Sequence, residues 1–425
     1  MEPSTYTGEN AAESRDMDAV ARFYVKCVLW LGVHDSTFVD AYFGPSAVRE
    51  EALTVTVTPD RIAGYAGDLL ATLDRIDPDR LEGAERTRHA YLRGMVRALE
   101  ARAGIFAGMS LTFGAEAEAL FGVSAPDDDP AWYEELHATL DANLPGSGDL
   151  PGRYRAFVES FAVPSERLER VFAAAFAESR RRIAEHLPLP VGEGIDLGYV
   201  TGEPWEVCNR YLGSGASLIE VSTDRPVTID RALLYACHEG YPGHHTMWAI
   251  REAALVRDRG WIEHSVVPLA SPLVTVGEGA ARLGIEIAFS RPDRVRFAEE
   301  VLFPLAGLDP AGAVLLDTIS TTATDLLFSG NTRVAREYLD GAISREDAYA
   351  RLRDVLLLAP ETAETQLRFI EEFRAYPVVF SEGYRLVRDY VGADGGSPAQ
   401  RWERFARILT EPVLPGDLIV SGTPG

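Results

Sequence analysis

Apolar residues recur every three or four positions along most of this chain, and short clusters of proline, glycine and aspartate interrupt them. That pattern predicts helices joined by tight turns rather than alternating strands. The stretch "RFYVKCVLWLGVHDSTFVDAYFGPSAV" (22–48) reads as a helix, a turn near His34–Ser36 and a second short helix stopped at Gly44-Pro45. The clearest helix is "PSERLERVFAAAFAESRRRIAEHL", where Ser165 suits the N-cap and Leu168, Val171, Phe172, Ala175 and Phe176 fall on one face. One segment departs from helical periodicity. "GASLIEVSTDRPVTI" (215–229) is β-rich, short and bounded by glycine and proline, so it is the main strand candidate.

Turn residues concentrate in "GVSAPDDDPA" (122–131) and "NLPGSGDLPGR" (143–153), and the second is the better boundary. The expected organisation is a disordered tail at 1–17, a helical region at 18–145, a second helical region at 150–415 and a frayed tail at 416–425. The fold class is mostly α, with a small strand element preceding a histidine-rich motif.

Composition narrows the function more by exclusion than by assignment. Of 425 residues, 46% are hydrophobic and 25% charged, enough apolar material for a sizeable core. The net charge of −24 repels phosphate backbones and anionic headgroups, which argues against nucleic acid or a membrane surface as partner. No apolar run reaches the roughly 20 residues a bilayer requires, and the polar, acidic start lacks the features of a secretory signal. Cys27, Cys208 and Cys237 are odd in number and form no Cys-x-x-Cys pair, which fits a reducing cytoplasm.

The chemistry gathers in "ACHEGYPGHH" (236–245), which holds three of the eight histidines beside a glutamate. In a straight helix two histidines at i, i+4 grip one zinc ion. Here the second histidine stands at i+6 (His244) or i+7 (His245), and i+7 would lie about 10.5 Å along a straight axis. The helix cannot run straight, however. Pro242 has no N–H for the carbonyl of His238 and its ring collides with that carbonyl, and Gly243 adopts backbone angles closed to other residues. The helix "DRALLYACHEG" is therefore expected to end near Gly240, turn through Tyr241-Pro242-Gly243 and restart at about His244. A bend of this kind replaces the one-turn spacing. His244 is the favoured second ligand, leaving His245 to orient substrate or stabilise an oxyanion.

Two histidines leave room for a third protein ligand and an open position, as catalytic zinc needs. Glu278, in "VTVGEGAARLGIEIAFSRP", is the leading candidate, although by spacing it equally suits an i+4 pair with Arg282. Glu286 faces elsewhere on the same helix. Glu239, directly after the first ligand, is placed to act as a general base. Cys237 reads as a small buried filler, because i and i+1 on a helix point about 100° apart.

With these residues assembled, the chain resembles a bacterial family known as domain of unknown function 885, whose signature is H-E-x-x-P-G-H-H followed some tens of residues later by E-G-x-A. The matching residues are His238-Glu239-Gly240-Tyr241-Pro242-Gly243-His244-His245 and Glu278-Gly279-Ala280-Ala281, and "VDAYFGP" (39–45) is similar to a shorter subgroup. An aromatic residue often follows E-G in larger members, where this chain has Ala280. The resemblance implies distant kinship to helical zinc peptidases of the gluzincin kind: a mostly α body around a deep cleft, Glu278 as third ligand, and one bound zinc. It also implies an edge strand that binds extended substrate, expected here at "SLIEVST" (217–223). Tyrosine and glycine near the carboxy-terminal side of such sites point to Tyr376, Tyr384 and Arg385 as groups that polarise a carbonyl or hold a carboxylate terminus.

The expected activity is hydrolysis of an amide in a peptide or small substrate, with Glu239 as base. Two alternatives stand beside it: the same metal serving one specialised small molecule, and a non-catalytic helical protein whose closed site recruits Cys237 or His264.

Overall fold

The computed structural model describes residues 10–125, 130–203 and 205–420. Helices dominate, as the periodicity predicts. The longest are Asn10–His34, Gly83–Phe106 and Ala313–Leu339. The helix Pro272–Ala288, which carries Glu278, is apolar nearly all round and almost wholly buried, as expected of an element surrounded by others.

Five short strands complete the described residues: β1 (Val39–Tyr42), β2 (Gly194–Val200), β3 (Val207–Gly213), β4 (Ala216–Ser222) and β5 (Val266–Pro268). β4 lies in the middle of a three-stranded sheet, parallel to β2 and antiparallel to β3. β1 and β5 pair antiparallel, with Ala41 opposite Val267.

Several expectations are corrected here. The second short helix expected before Gly44-Pro45 is instead strand β1, because its backbone bonds go to β5; the helix Ser46–Leu53 starts only after Pro45. Tertiary pairing overrides local pattern in so short a segment. Ser165 does not cap the long helix: Ser165–Arg167 forms a separate tight turn, and the helix begins at Leu168 without a side-chain cap. Leu168, Val171, Phe172 and Ala175 are buried as expected, with Phe176 at the margin. "SLIEVST" is a strand over most of its length, but not an edge. With β2 on one side and β3 on the other, the backbone groups of β4 are already paired, so it cannot add a substrate strand.

The expected tail at 1–17 is helical from Asn10, with Met17 fully buried; residues 1–9 lie outside the described residues. At the other end Val413, Pro415 and Leu418 are buried, so the chain packs well past residue 415, and residues 421–425 lie outside the described residues. The turn near 143–153 exists, between helices ending at Asn143 and starting at Leu150. It does not divide the core, however: one contiguous set of buried side chains runs from Met17 to Leu418.

Candidate metal centre

The motif helix ends as its sequence demands. Ile229–Tyr235 is α-helical, and then the coil widens over Ala236–Gly240. The Tyr241 N–H donates to the Ala236 carbonyl five residues back at 2.9 Å, and the Gly243 N–H donates to the Cys237 carbonyl at 2.9 Å. Tyr241 is extended, the Tyr241–Pro242 bond is cis, and a new helix begins at His244. Gly243 is obligatory at the corner: a Cβ there would lie 1.8 Å from the His238 carbonyl oxygen. Gly284 lets the Glu278 helix approach the same corner, since a Cβ on it would already touch Pro242 at 3.3 Å.

This fold-back brings the His238 and His244 rings to 4.8 Å between centroids, nearly perpendicular at 87°. Glu278 closes the group. Its Oε2 lies 3.4 Å from His238 Nε2 and its Oε1 lies 3.5 Å from His244 Nε2. One ligand atom from each of the three residues falls within 4.8 Å of the others. Arg282 does not compete for Glu278; it pairs with Asp325 at 2.8 Å.

The donor set fits a divalent metal. Two imidazoles and one carboxylate, with ligand atoms within 4.8 Å of one another, make up the donor set of a three-ligand zinc site. The Glu278 Oε2 atom is buried without a hydrogen-bond partner, a costly state for a carboxylate oxygen unless a cation is shared with it. Electrostatics points the same way. Burial disfavours charge on His244, yet the Glu278, Glu239 and Asp40 carboxylates together push it up to about 9. Burial would likewise raise Glu278, but the two imidazoles hold it far below the usual carboxylate range. Without a metal, the proton on His244 supplies positive charge beside Glu278.

Glu239 flanks the centre, its Oε1 3.9 Å from His238 Nε2, and its backbone carbonyl accepts from Asn209 Nδ2 on β3 at 2.6 Å. Among the described residues β3 pairs with β4 alone, so it, and not β4, is a strand edge beside the motif. Tyr376 also reaches the centre, its hydroxyl 3.4 Å from Glu278 Oε1. Burial and the adjoining Glu278 charge push that hydroxyl well above its ordinary value, so it stays protonated and acts as a donor. Phe121, Phe369, Phe373 and Phe380 surround the Tyr376 ring and fix its aim.

The remaining candidates fall elsewhere. His245 is fully buried, with Nδ1 2.8 Å from Ser217 Oγ and Nε2 2.9 Å from Glu193 Oε2. Both ring nitrogens are occupied, so it anchors the second helix to β4 and cannot serve substrate. Burial alone would raise Glu193, but bonds from His245, Tyr241 and Arg180 bring it down to about 2. Tyr384 donates to Glu286 at 2.5 Å and Arg385 pairs with Glu382 at 2.8 Å, so neither touches the metal ligands. Cys237 packs against Ser179, its thiol pushed up to about 12 by burial, and His264 stacks on Tyr91; neither joins the cluster.

Asp40 went unrecognised in the sequence. It lies on β1 at an exposed position, yet loss of solvent around its carboxyl, together with the Glu278 and Glu239 charges, raises it to about 6 against the pull of His244. The available signal was its place within "VDAYFGP", a stretch that carries the family resemblance.

A recess of about 510 Å³ lies apart from the three ligands, none of which lines it. Leu234 and Arg282, one turn from His238 and Glu278 respectively, line it, as do Ile285, Glu286, Phe289 and Tyr384.

No family model matches this chain, and no curated protein matches it. Among solved structures it is similar to "the putative lipoprotein from Colwellia psychrerythraea", at 12% identity and a TM-score of 0.52 over 87% of this chain and 70% of the other. A lipoprotein of unknown function from Shewanella oneidensis matches at 12% identity and a TM-score of 0.41, covering 86% and 76%. The first likeness shows a shared mostly helical fold. Among the described residues no helix is long and apolar enough to cross a membrane.

Proposed function

We propose that this protein is a zinc-dependent hydrolase of amide bonds, acting on a peptide or a small amide, in keeping with its resemblance to the domain of unknown function 885 family. One observation carries the reading: His238, His244 and Glu278 bring three ligand atoms within 4.8 Å of one another, with a carboxylate acid, Glu239, at their edge. Zinc held by these residues would polarise the scissile carbonyl and lower the pKa of water towards about 7. Glu239 accepts the proton of the attacking water and hands it to the leaving amine. Tyr376, a neutral hydroxyl aimed at the centre, donates to the oxygen on which charge develops. The edge of β3, whose Asn209 bonds the Glu239 carbonyl, offers backbone to an extended substrate.

The reading against a purely structural metal is that Cys237 and His264 supply no fourth ligand. Three free cysteines support a cytoplasmic setting. The same three-ligand centre also suits chemistry on one specialised small molecule, which is the second reading. Metal analysis combined with a peptide-library assay separates them. Peptide cleavage that falls at least about 10²-fold in Glu239→Gln, with metal retained, supports the hydrolase. Full activity in the variant removes Glu239 as base; zinc without any cleavage favours the small-molecule reading; a purified protein that binds no divalent metal refutes both.

A further inference from the structure

At the far end of the His244 helix, four polar side chains from separate parts of the chain lie buried with hydrogen-bonding atoms unmatched. They are Tyr24 on the first helix, Tyr91 on Gly83–Phe106, Arg251 at the end of the His244 helix, and His264 in the turn Ile262–Ser265 before β5. Each is at most 3% exposed. Both hydroxyls, both His264 nitrogens, and Nε and NH1 of Arg251 lack any partner. Only NH2 of Arg251 is satisfied, donating to the carbonyls of Ile408 and Glu411 at 3.0 Å each.

The four groups share one region. The Tyr91 and His264 rings are 4.4 Å apart, Tyr91 and Arg251 act on each other's charge, and Tyr24 feels Tyr91. The nearest carboxylate, Glu263, is spent on Arg88, which it holds at 2.6 and 3.2 Å, and Arg88 also bonds Asp18 at 2.7 Å. No carboxylate pairs with Arg251 among the described residues.

The donor–acceptor balance identifies what is missing. Arg251 offers three unmet N–H groups, the tyrosines two O–H groups, and a neutral His264 one N–H. Against these stand only the two phenolic oxygens and one imidazole lone pair. His264 stays neutral, because burial and then the guanidiniums of Arg251, Arg88 and Arg259 press it well below its ordinary value. Water cures a shortage of partners but not an excess of fixed positive charge. A guanidinium cannot shed its proton, and a buried one without a counter-charge costs several kcal/mol. Burial has already drawn Arg251 down to about 10.

We propose that Tyr24, Tyr91, Arg251 and His264 form a site for a small monovalent anion of the halide class, chloride in practice. The anion accepts from the Arg251 NH1 and Nε groups and from the tyrosine hydroxyls. It ties the end of the His244 helix to the two amino-terminal helices, and it does not depend on the metal centre.

Two measurements on the full chain decide the matter. In the first, protein purified and crystallised with bromide replacing chloride is examined at the bromine absorption edge; an anomalous peak among Arg251, Tyr91 and Tyr24 is expected. In the second, the melting temperature is followed as chloride replaces gluconate at constant ionic strength. A rise of about 1–2 °C per tenfold in chloride is expected for the native chain. The rise should shrink in Tyr91→Phe and vanish in Arg251→Met. Should Arg251→Met not fold, Tyr91→Phe and the bromide map still decide. Density that refines as water with no halide signal, or a melting temperature indifferent to chloride, overturns the proposal.

Discussion

At the scale of single residues, the site rests on positions where one atom decides the outcome. Gly243 is the sharpest case, because a methyl group there would sit 1.8 Å from the His238 carbonyl oxygen. Gly243→Ala must therefore open the corner and part the two histidines. The expected result is loss of bound metal and destabilisation by about 3 kcal/mol or more, read by metal analysis and denaturant unfolding. His245 gives a contrasting prediction. Being occupied by Ser217 and Glu193, it contributes packing and not chemistry. His245→Gln should lower the melting temperature while metal content stays at one per chain; loss of metal with unchanged stability would make His245 a ligand after all. These two histidines also show what the sequence discloses. Proline and glycine after His238 announce the bend, because their backbone restrictions are local. Nothing local says that Glu193, some fifty residues upstream, captures His245, or that Asp40 lies within electrostatic reach of His244 and Glu278.

At the scale of elements, the centre joins two helices that the bend turns back on each other with a third that supplies the carboxylate. That third helix meets the corner at Gly284, where a Cβ would already touch Pro242 at 3.3 Å, and packs on the Val379–Gly383 turn at Gly279, where a Cβ would lie 2.2 Å from the Gly383 carbonyl oxygen. The arrangement carries a pH signature. His244 lies at about 9 in the metal-free fold, above its ordinary 6.5, because Glu278, Glu239 and Asp40 favour its charged form over the penalty of burial. Its contribution to stability is therefore complete below about 6.5 and is lost as pH rises through about 9. A metal requires the neutral ring, so loading must expel that proton. About one proton released per zinc at pH 7.5 is expected, measured by calorimetry in buffers of different ionisation enthalpy, with affinity tightening about tenfold per pH unit up to about 9. Binding without proton release would mean that His244 is not a ligand. The long helices were legible because their periodicity is strong. β1, β2, β3 and β5 were not, because strands of three to seven residues are specified by their partners across the sheet rather than by their own pattern.

At the scale of the whole molecule, the two helical regions expected from the glycine- and proline-rich break near 143–153 share one core. β1 from the first pairs with β5 from the second, and Tyr24 and Tyr91 pack beside Arg251 and His264. A break in composition marks a turn, but only buried contacts mark a domain. A fragment covering 150–415 should accordingly fail to fold, showing no cooperative melting and rapid proteolysis; a stable fragment that binds metal would restore the two-domain reading. The mostly α class and the bend that pairs His238 with His244 follow from the chain's own pattern, whereas Glu278 is singled out through the family resemblance and the joining of the halves arises from contacts too distant in sequence to be read there.

The central claim is that His238, His244 and Glu278 hold one metal ion. X-ray diffraction from zinc-loaded crystals, recorded on both sides of the zinc absorption edge, tests it directly. The expected map has one strong anomalous peak bonded to the Nε2 atoms of His238 and His244 and to the Glu278 carboxylate. A map without zinc signal at these residues, or with the ion held elsewhere, would contradict it.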